Sequence, residues 1–176
     1  MEVILVRHTS VDVPQGTCYG QTDVPVAATF EMEAAVTKKK LEKFGRIDKA
    51  YSSPLTRARM LAAFCGYQDA EVDERLLEMS MGDWEKMKYE DIKGEYAQRW
   101  YEDFLHLPTP NGESFVEQME RVGRFLDELK EKSYERVAVF AHGGVLGCAD
   151  IYGGLYTMEE AWDNLTPYGG IIRIEI

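Results

Sequence analysis

Arg7 and His8 follow directly on a solid apolar run, Val3–Val6, and His142-Gly143-Gly144 follows directly on another, Arg136–Ala141. Chains of this size usually spend Arg and His on the surface, so two such pairings at the ends of buried-type strands ask for a chemical reason. Arg57 stands a few residues beyond another short strand candidate, Ile47–Ser52. Two imidazoles and two guanidiniums suit a tetrahedral dianion, because arginine forks match phosphate oxygens two at a time. Glycines after His142 allow a helix N-terminus to approach such an anion with its backbone N–H groups. An imidazole can also act as a nucleophile and form a covalent intermediate, and a carboxylic acid can protonate the leaving oxygen. The candidate acid is Glu78, in the stretch L-L-E-M-S-M-G-D-W. Nearby cations favour its ionised form, and burial against Met79, Met81 and Trp84 favours its neutral form.

Elements of the right kind are present to position these groups. Val3–Val6 and Arg136–Ala141 read as strands buried on both faces. Ile47–Ser52 is a second short strand, and Glu71–Leu76 a third. Ala28–Phe44 carries apolar residues at helical spacing and ends at Gly45. Ser53-Pro54 has the form of an N-cap followed by proline at the first helical position, opening a helix through about Cys65. Ser114 and Glu117 make a capping box for a helix to about Lys132, with Phe115, Met119, Val122, Leu126 and Leu129 on one face. Val145–Tyr152 is a small-residue helix, and Gly170–Ile176 a closing strand, at an edge or antiparallel. Residues 77–113 are irregular and rich in aromatics, with one or two helices expected, over Tyr89–Phe104. The alternation predicts an α/β fold: a three-layer sandwich with a mostly parallel central sheet and helices on both faces. Ligands of such sheets bind at the carboxyl ends of the strands, where Arg7-His8, Ser53 with Arg57, and His142 all lie.

The 176 residues favour one domain, residues 1–176, with the 77–113 segment as an insertion over the active site. A formal net charge of −11 argues against nucleic acid or an anionic membrane as partner. It leaves a small phosphorylated substrate, held in a local basic pocket, as the expected partner. Cys18, Cys65 and Cys148 show no metal spacing, and with no secretory signal they suggest reduced thiols and a cytoplasmic location.

Taken together, the motifs resemble the histidine phosphatase superfamily, also called the phosphoglycerate mutase-like fold. The family's R-H-G appears as Arg7-His8-Thr9, its S-P-L-x-R-A as Ser53 to Ala58, and its late H-G-G as His142-Gly143-Gly144. Its L-x-E-x-x-x-G-x-W-E stretch appears from Leu76 through Glu78, Gly82, Trp84 and Glu85, and its P-x-G-E-S as Pro110 to Ser114. The resemblance spans nearly the whole chain and implies phosphoryl transfer to His8. It assigns Arg7, Arg57 and His142 to the phosphoryl oxygens and Glu78 to proton donation, with no metal and no cofactor. Within the superfamily, Gly16 to Pro25 resembles the G-x-x-x-G-Q-T-D loop of α-ribazole phosphatases, which remove a 5′-phosphate during assembly of the cobalamin nucleotide loop. It also suggests Tyr19, Gly20, Gln21 and Gly143 as substrate contacts. The alternatives are a phosphatase of a sugar or nucleotide phosphate, a phosphoglycerate mutase, and a non-catalytic phosphoprotein-binding domain. Thr9 and Pro14 depart from the family pattern, standing where glycine and a phosphate-touching asparagine are usual. His106 reads as a surface residue, Glu113 as a structural one, and Cys18 as packing.

Overall fold

The computed structural model describes residues 1–176. Five strands, β1 (Glu2–Arg7), β2 (Lys49–Ser52), β3 (Glu71–Val72), β4 (Arg136–Ala141) and β5 (Ile171–Glu175), form one sheet in the order β3-β2-β4-β1-β5. The first four are parallel and β5 runs antiparallel beside β1. The helices are α1 (Phe30–Glu42), α2 (Thr56–Phe64), α3 (Glu95–Glu102), α4 (Phe115–Lys130), α5 (Gly143–Tyr152) and α6 (Met158–Asp163). No helix is long and apolar enough to cross a membrane.

The two unbroken apolar runs are explained by the alternation of side chains along a strand. Val3 and Leu5 of β1, with Val137, Val139 and Ala141 of β4, enter one core, which packs against Phe115, Val122 and Leu126 of α4 and Val145 and Leu146 of α5. Ile4 and Val6, with Ala138 and Phe140, enter the other, beneath Ala34 and Leu41 of α1 and Leu61 and Ala62 of α2. Both faces of the sheet are therefore covered, which requires apolar residues at each buried position of the two strands, Val3–Val6 of β1 and Val137–Ala141 of β4.

This layering also creates the crevice. After β1 the chain passes to α1 on one face, and after the adjacent β4 it passes to α5 on the other. Neighbouring strands that diverge in this way open a gap at their carboxyl ends. Register sets what enters it. Arg7 lies opposite Ala141, and His8 N donates to the Ala141 carbonyl at 3.0 Å. Ser52 lies opposite Phe140, and Ser53 N donates to the Phe140 carbonyl at 2.9 Å. Arg7-His8, Ser53 and His142 thus leave the sheet side by side.

Local details differ from or sharpen these expectations in four places. Helix α2 begins at Thr56, not after a Ser53 cap. Its cap is supplied from another segment: the Asp23 carboxylate accepts from Thr56 N at 2.9 Å and Thr56 Oγ1 at 2.6 Å. The third strand pairs only over Glu71–Val72, after which the Asp73 side chain caps a 3-10 turn at Glu74–Leu76. Of the one or two helices expected over Tyr89–Phe104, the structure has a 3-10 turn, Tyr89–Asp91, and α3, separated at Gly94 with its φ of 108°. Finally, α6 was not foreseen, although Thr157 and Glu160 form a capping box as complete as that of Ser114 and Glu117.

Candidate active site

His8 is 3% exposed, and its Nδ1 lies 2.7 Å from the Thr9 carbonyl. A carbonyl only accepts, so Nδ1 carries the proton and Nε2 keeps its lone pair. Burial, then the Arg57 and Arg7 charges, push the imidazole pKa down to about 3, so the ring is neutral near pH 7. Thr9, standing where the family usually has glycine, does not use the left-handed backbone region. A side chain is therefore tolerated there, and the Thr9 carbonyl still sets the His8 tautomer.

His142, fully buried, stands with its ring centroid 5.2 Å from that of His8. Its Nε2 is 2.7 Å from Ser53 Oγ, which itself accepts from Leu55 N at 3.3 Å. A Ser53 hydroxyl that donates to Nε2 leaves the His142 proton on Nδ1, and one that accepts from Nε2 leaves Nδ1 with a lone pair. That Nδ1 is buried and has no partner within the protein. Burial first, then the Arg57 charge, hold His142 well below the usual histidine pKa. So Ser53 acts here as the orienting hydroxyl of a buried imidazole rather than as a helix cap.

Arg57 is fully buried, and its two terminal nitrogens donate to the Thr22 carbonyl at 2.8 Å and the Gly20 carbonyl at 2.6 Å. Arg7 Nη1 donates to the Thr166 carbonyl at 2.5 Å. Both arginines retain a buried Nε–H without a partner. With His142 Nδ1, three nitrogens of the residues around His8 are buried and without a partner. Each guanidinium also has a tyrosine over it. Arg7 Cζ lies 4.2 Å from the Tyr168 ring and Arg57 Cζ 5.4 Å from the Tyr19 ring. The two tyrosine hydroxyls meet at 2.8 Å, completing an arch beside His8. Glu78 reaches the same place from the opposite side. Its carboxylate accepts from Met79 N at 3.0 Å, Gln118 Nε2 at 2.8 Å and Gly144 N at 3.1 Å, the last in the first turn of α5.

The model of the histidine phosphatase superfamily (branch 1) matches residues 3–176. The chain belongs to this family. The adenosylcobalamin/alpha-ribazole phosphatase of Escherichia coli is 30% identical over 156 residues, covering 83% of this chain and 75% of that protein. Phosphoserine phosphatase 1 of Hydrogenobacter thermophilus is 27% identical over 146 residues, covering 79% of this chain and 69% of its own. The crystal structure of phosphoglycerate mutase from Thermus thermophilus superposes with a TM-score of 0.77 at 29% identity, covering 100% of this chain and 99% of that one. The fold is accordingly phosphoglycerate mutase-like, and the chain is a phosphatase, a phosphoric monoester hydrolase.

A cavity of about 240 Å³ opens in this phosphatase over Arg7, His8, Glu78, Gly143 and Gly144. Its remaining walls are uncharged: Tyr19, Tyr89, Trp100 and Trp162, with Met79, Met81, Thr17 and Leu165. Of the residues the sequence suggested as substrate contacts, Tyr19 and Gly143 line this cavity. Gly20 and Gln21 sit behind it. The Gly20 and Gln21 N–H groups donate to the Glu85 carboxylate, and Gln21 Nε2 donates to the Glu78 carbonyl at 3.1 Å. A Cβ at Gly20 would overlap the Met79 carbonyl, so glycine is required by close approach. Pro14 is exposed, and its carbonyl closes a turn with Thr17. Glu113 bonds Ser80 N and Arg121, and His106 is exposed beside Asp103.

Several residues of the site escaped sequence reasoning. Tyr168 belongs to the turn before β5, and Trp162 to the unforeseen α6. Glu85 falls within a quoted motif, but its task was not apparent. It accepts from the N–H groups of residues 20–22, from Thr22 Oγ1 at 2.6 Å and from Met81 N. Burial alone would raise its carboxyl, but the Thr22 hydroxyl and these N–H groups outweigh burial and hold it below the usual range.

Proposed function

We propose that this phosphatase transfers the phosphoryl group of a small monoester to His8 and then to water. The observation that carries the reading is the set of three buried, unpartnered nitrogens, Arg7 Nε, Arg57 Nε and His142 Nδ1, around an imidazole held neutral with its Nε2 lone pair available; the reading makes each of the three an N–H donor. Nε2 attacks phosphorus, the P–N bond forms, and the P–O bond to the leaving group breaks. The Glu78 carboxyl gives its proton to the departing oxygen. The Thr9 carbonyl receives the Nδ1–H bond throughout, and that bond strengthens as the ring becomes positive. Arg7, Arg57 and His142 carry the charge of the equatorial oxygens. Water then attacks phosphorus, Glu78 takes its proton, the P–N bond breaks, and phosphate leaves.

The cavity walls support α-ribazole 5′-phosphate as substrate, in assembly of the cobalamin nucleotide loop. The charged groups lining the cavity are committed to the phosphoryl group, so the rest of the substrate meets aromatic rings and thioethers. Trp100 adds an indole N–H that is buried without a partner. A flat base with ring nitrogens matches these walls, whereas phosphoserine would bring an ammonium and a carboxylate to them. The Escherichia coli relative named above supports the same reading. Residues 1–176 then act as one phosphatase domain, with the 77–113 segment as its cover.

The test compares kcat/KM for α-ribazole 5′-phosphate with sugar phosphates, nucleotides and phosphoserine. A preference of at least tenfold for α-ribazole phosphate is expected, and equal or better turnover of another class refutes the substrate. His8→Ala, quenched during turnover of labelled substrate, is expected to lose the acid-labile, base-stable phosphoenzyme that the parent protein forms. Retention of that species refutes the nucleophile.

A further inference from the structure

Helix α4 buries Phe115, Gln118, Val122, Phe125, Leu126 and Leu129. Gln118 is the polar exception on this apolar stripe and is fully buried. Its Nε2 donates to Glu78 Oε1 at 2.8 Å, while its Oε1 is buried with no partner within the protein.

The other donors to Glu78 are the N–H groups of Met79 and Gly144. The carboxyl has a single proton, which a general acid must present to the leaving oxygen. A carboxyl protonated on one oxygen keeps the other as an acceptor. Gln118 Nε2, the one side-chain donor among the three partners, can therefore hold Oε1 in both states while Oε2 gives and takes the proton. Space for the amide is kept by Gly144, where a Cβ would overlap Glu78 Oε1 and crowd both polar atoms of Gln118.

We propose that Gln118 is a positioning residue whose Nε2–H holds Glu78 Oε1 and so keeps the carboxyl in place both as acid and as base. The proposal rests on the reading of Glu78 as the proton donor. The proton moves only between Glu78 and the leaving oxygen, or from the attacking water back to Glu78; Gln118 keeps its hydrogen bond and exchanges no proton.

The experiment plots kcat/KM against leaving-group basicity for a series of aryl and alkyl phosphates. This parameter covers the steps up to departure of the alcohol, so Glu78 enters only as acid. Gln118→Leu is the main variant, and Gln118→Met, closer in shape, is the second should the first fold poorly by thermal unfolding. Because general acid catalysis contributes about 10²- to 10⁴-fold, the variants are expected to lose roughly tenfold or more on alkyl esters. They are expected to stay within about twofold on p-nitrophenyl phosphate, whose leaving group departs without a proton. The plot steepens. An equal loss on every ester shows a merely structural residue and overturns the proposal, as does an unchanged plot. Glu78→Gln is run alongside. If it steepens the plot and the Gln118 variants do not, only the proposal about Gln118 fails. If it leaves the slope unchanged, Glu78 is not the acid and both readings fall.

Discussion

Ser53→Ala isolates the assignment of the His142 tautomer. The Ser53 hydroxyl is fully buried and lies 2.7 Å from His142 Nε2, and in the proposed site its proton points there. Removing it leaves Nε2 a buried acceptor without a partner, a cost of about 1–3 kcal/mol. With the hydroxyl gone nothing facing Nε2 selects the Nδ1–H tautomer, and a ring that carries its proton on Nε2 turns a donor toward the phosphoryl oxygens into an acceptor. Losing an oxyanion donor outright costs about 10²- to 10³-fold in rate, so a partial shift of tautomer should cost roughly 10- to 100-fold in kcat/KM. The assay is steady-state hydrolysis of p-nitrophenyl phosphate, with inorganic phosphate as competitive inhibitor. Both kcat/KM and phosphate affinity should fall. The imidazole ¹⁵N spectrum of phosphate-bound protein should show the Nδ1–H tautomer in the parent protein and a mixture in the variant. Unchanged turnover with an unchanged tautomer would mean that Nδ1–H is enforced by something other than Ser53, and the reasoning would be wrong.

Two further substitutions test the support of the site and the stability of the fold. Glu85→Gln removes the charged acceptor from the loop whose carbonyls hold Arg57, so KM should rise several-fold and Tm should fall. Since Glu85 has a lowered folded-state pKa, its contribution is present above the ordinary value of 4.5 and is lost as pH falls; an equal Tm difference at pH 7 and well below pH 4.5 refutes this. Asp150, 3% exposed with Oδ1 unpartnered, is pushed up to about 6 by burial, so stability declines as pH rises from about 4 through 6. Asp150→Asn should therefore be more stable than the parent by about 1–2 kcal/mol at pH 7.5 and lose that advantage near pH 4; an advantage equal at both pH values refutes the cause.

The residues legible in the sequence are those whose place is set by sheet register. His8, Ser53 and His142 each follow a strand with apolar residues on both faces, and parallel pairing in register makes their positions adjacent whatever lies between them. The family motifs add Arg57 and Glu78 in the same way, as positions a few residues beyond an element's end. Residues that hold these groups in place were harder to read because long-range contacts place them. Tyr168 reaches Arg7 only because β5 returns antiparallel beside β1, bringing the preceding turn back to the crevice. Gln118 sits at a helical position that periodicity reserves for an apolar side chain, and nothing nearby in the sequence announces the carboxylate it meets. Gly20 and Gln21 were read as substrate contacts from their motif alone, yet their N–H groups face Glu85, more than sixty residues away. The motif is therefore a signature of the site's scaffold. Asp23 caps α2, the Gly20 and Thr22 carbonyls hold Arg57, and Glu85 holds the loop that presents them. A substitution in this loop should first be felt as a displaced guanidinium, with looser phosphate binding, rather than as a changed preference for the leaving group.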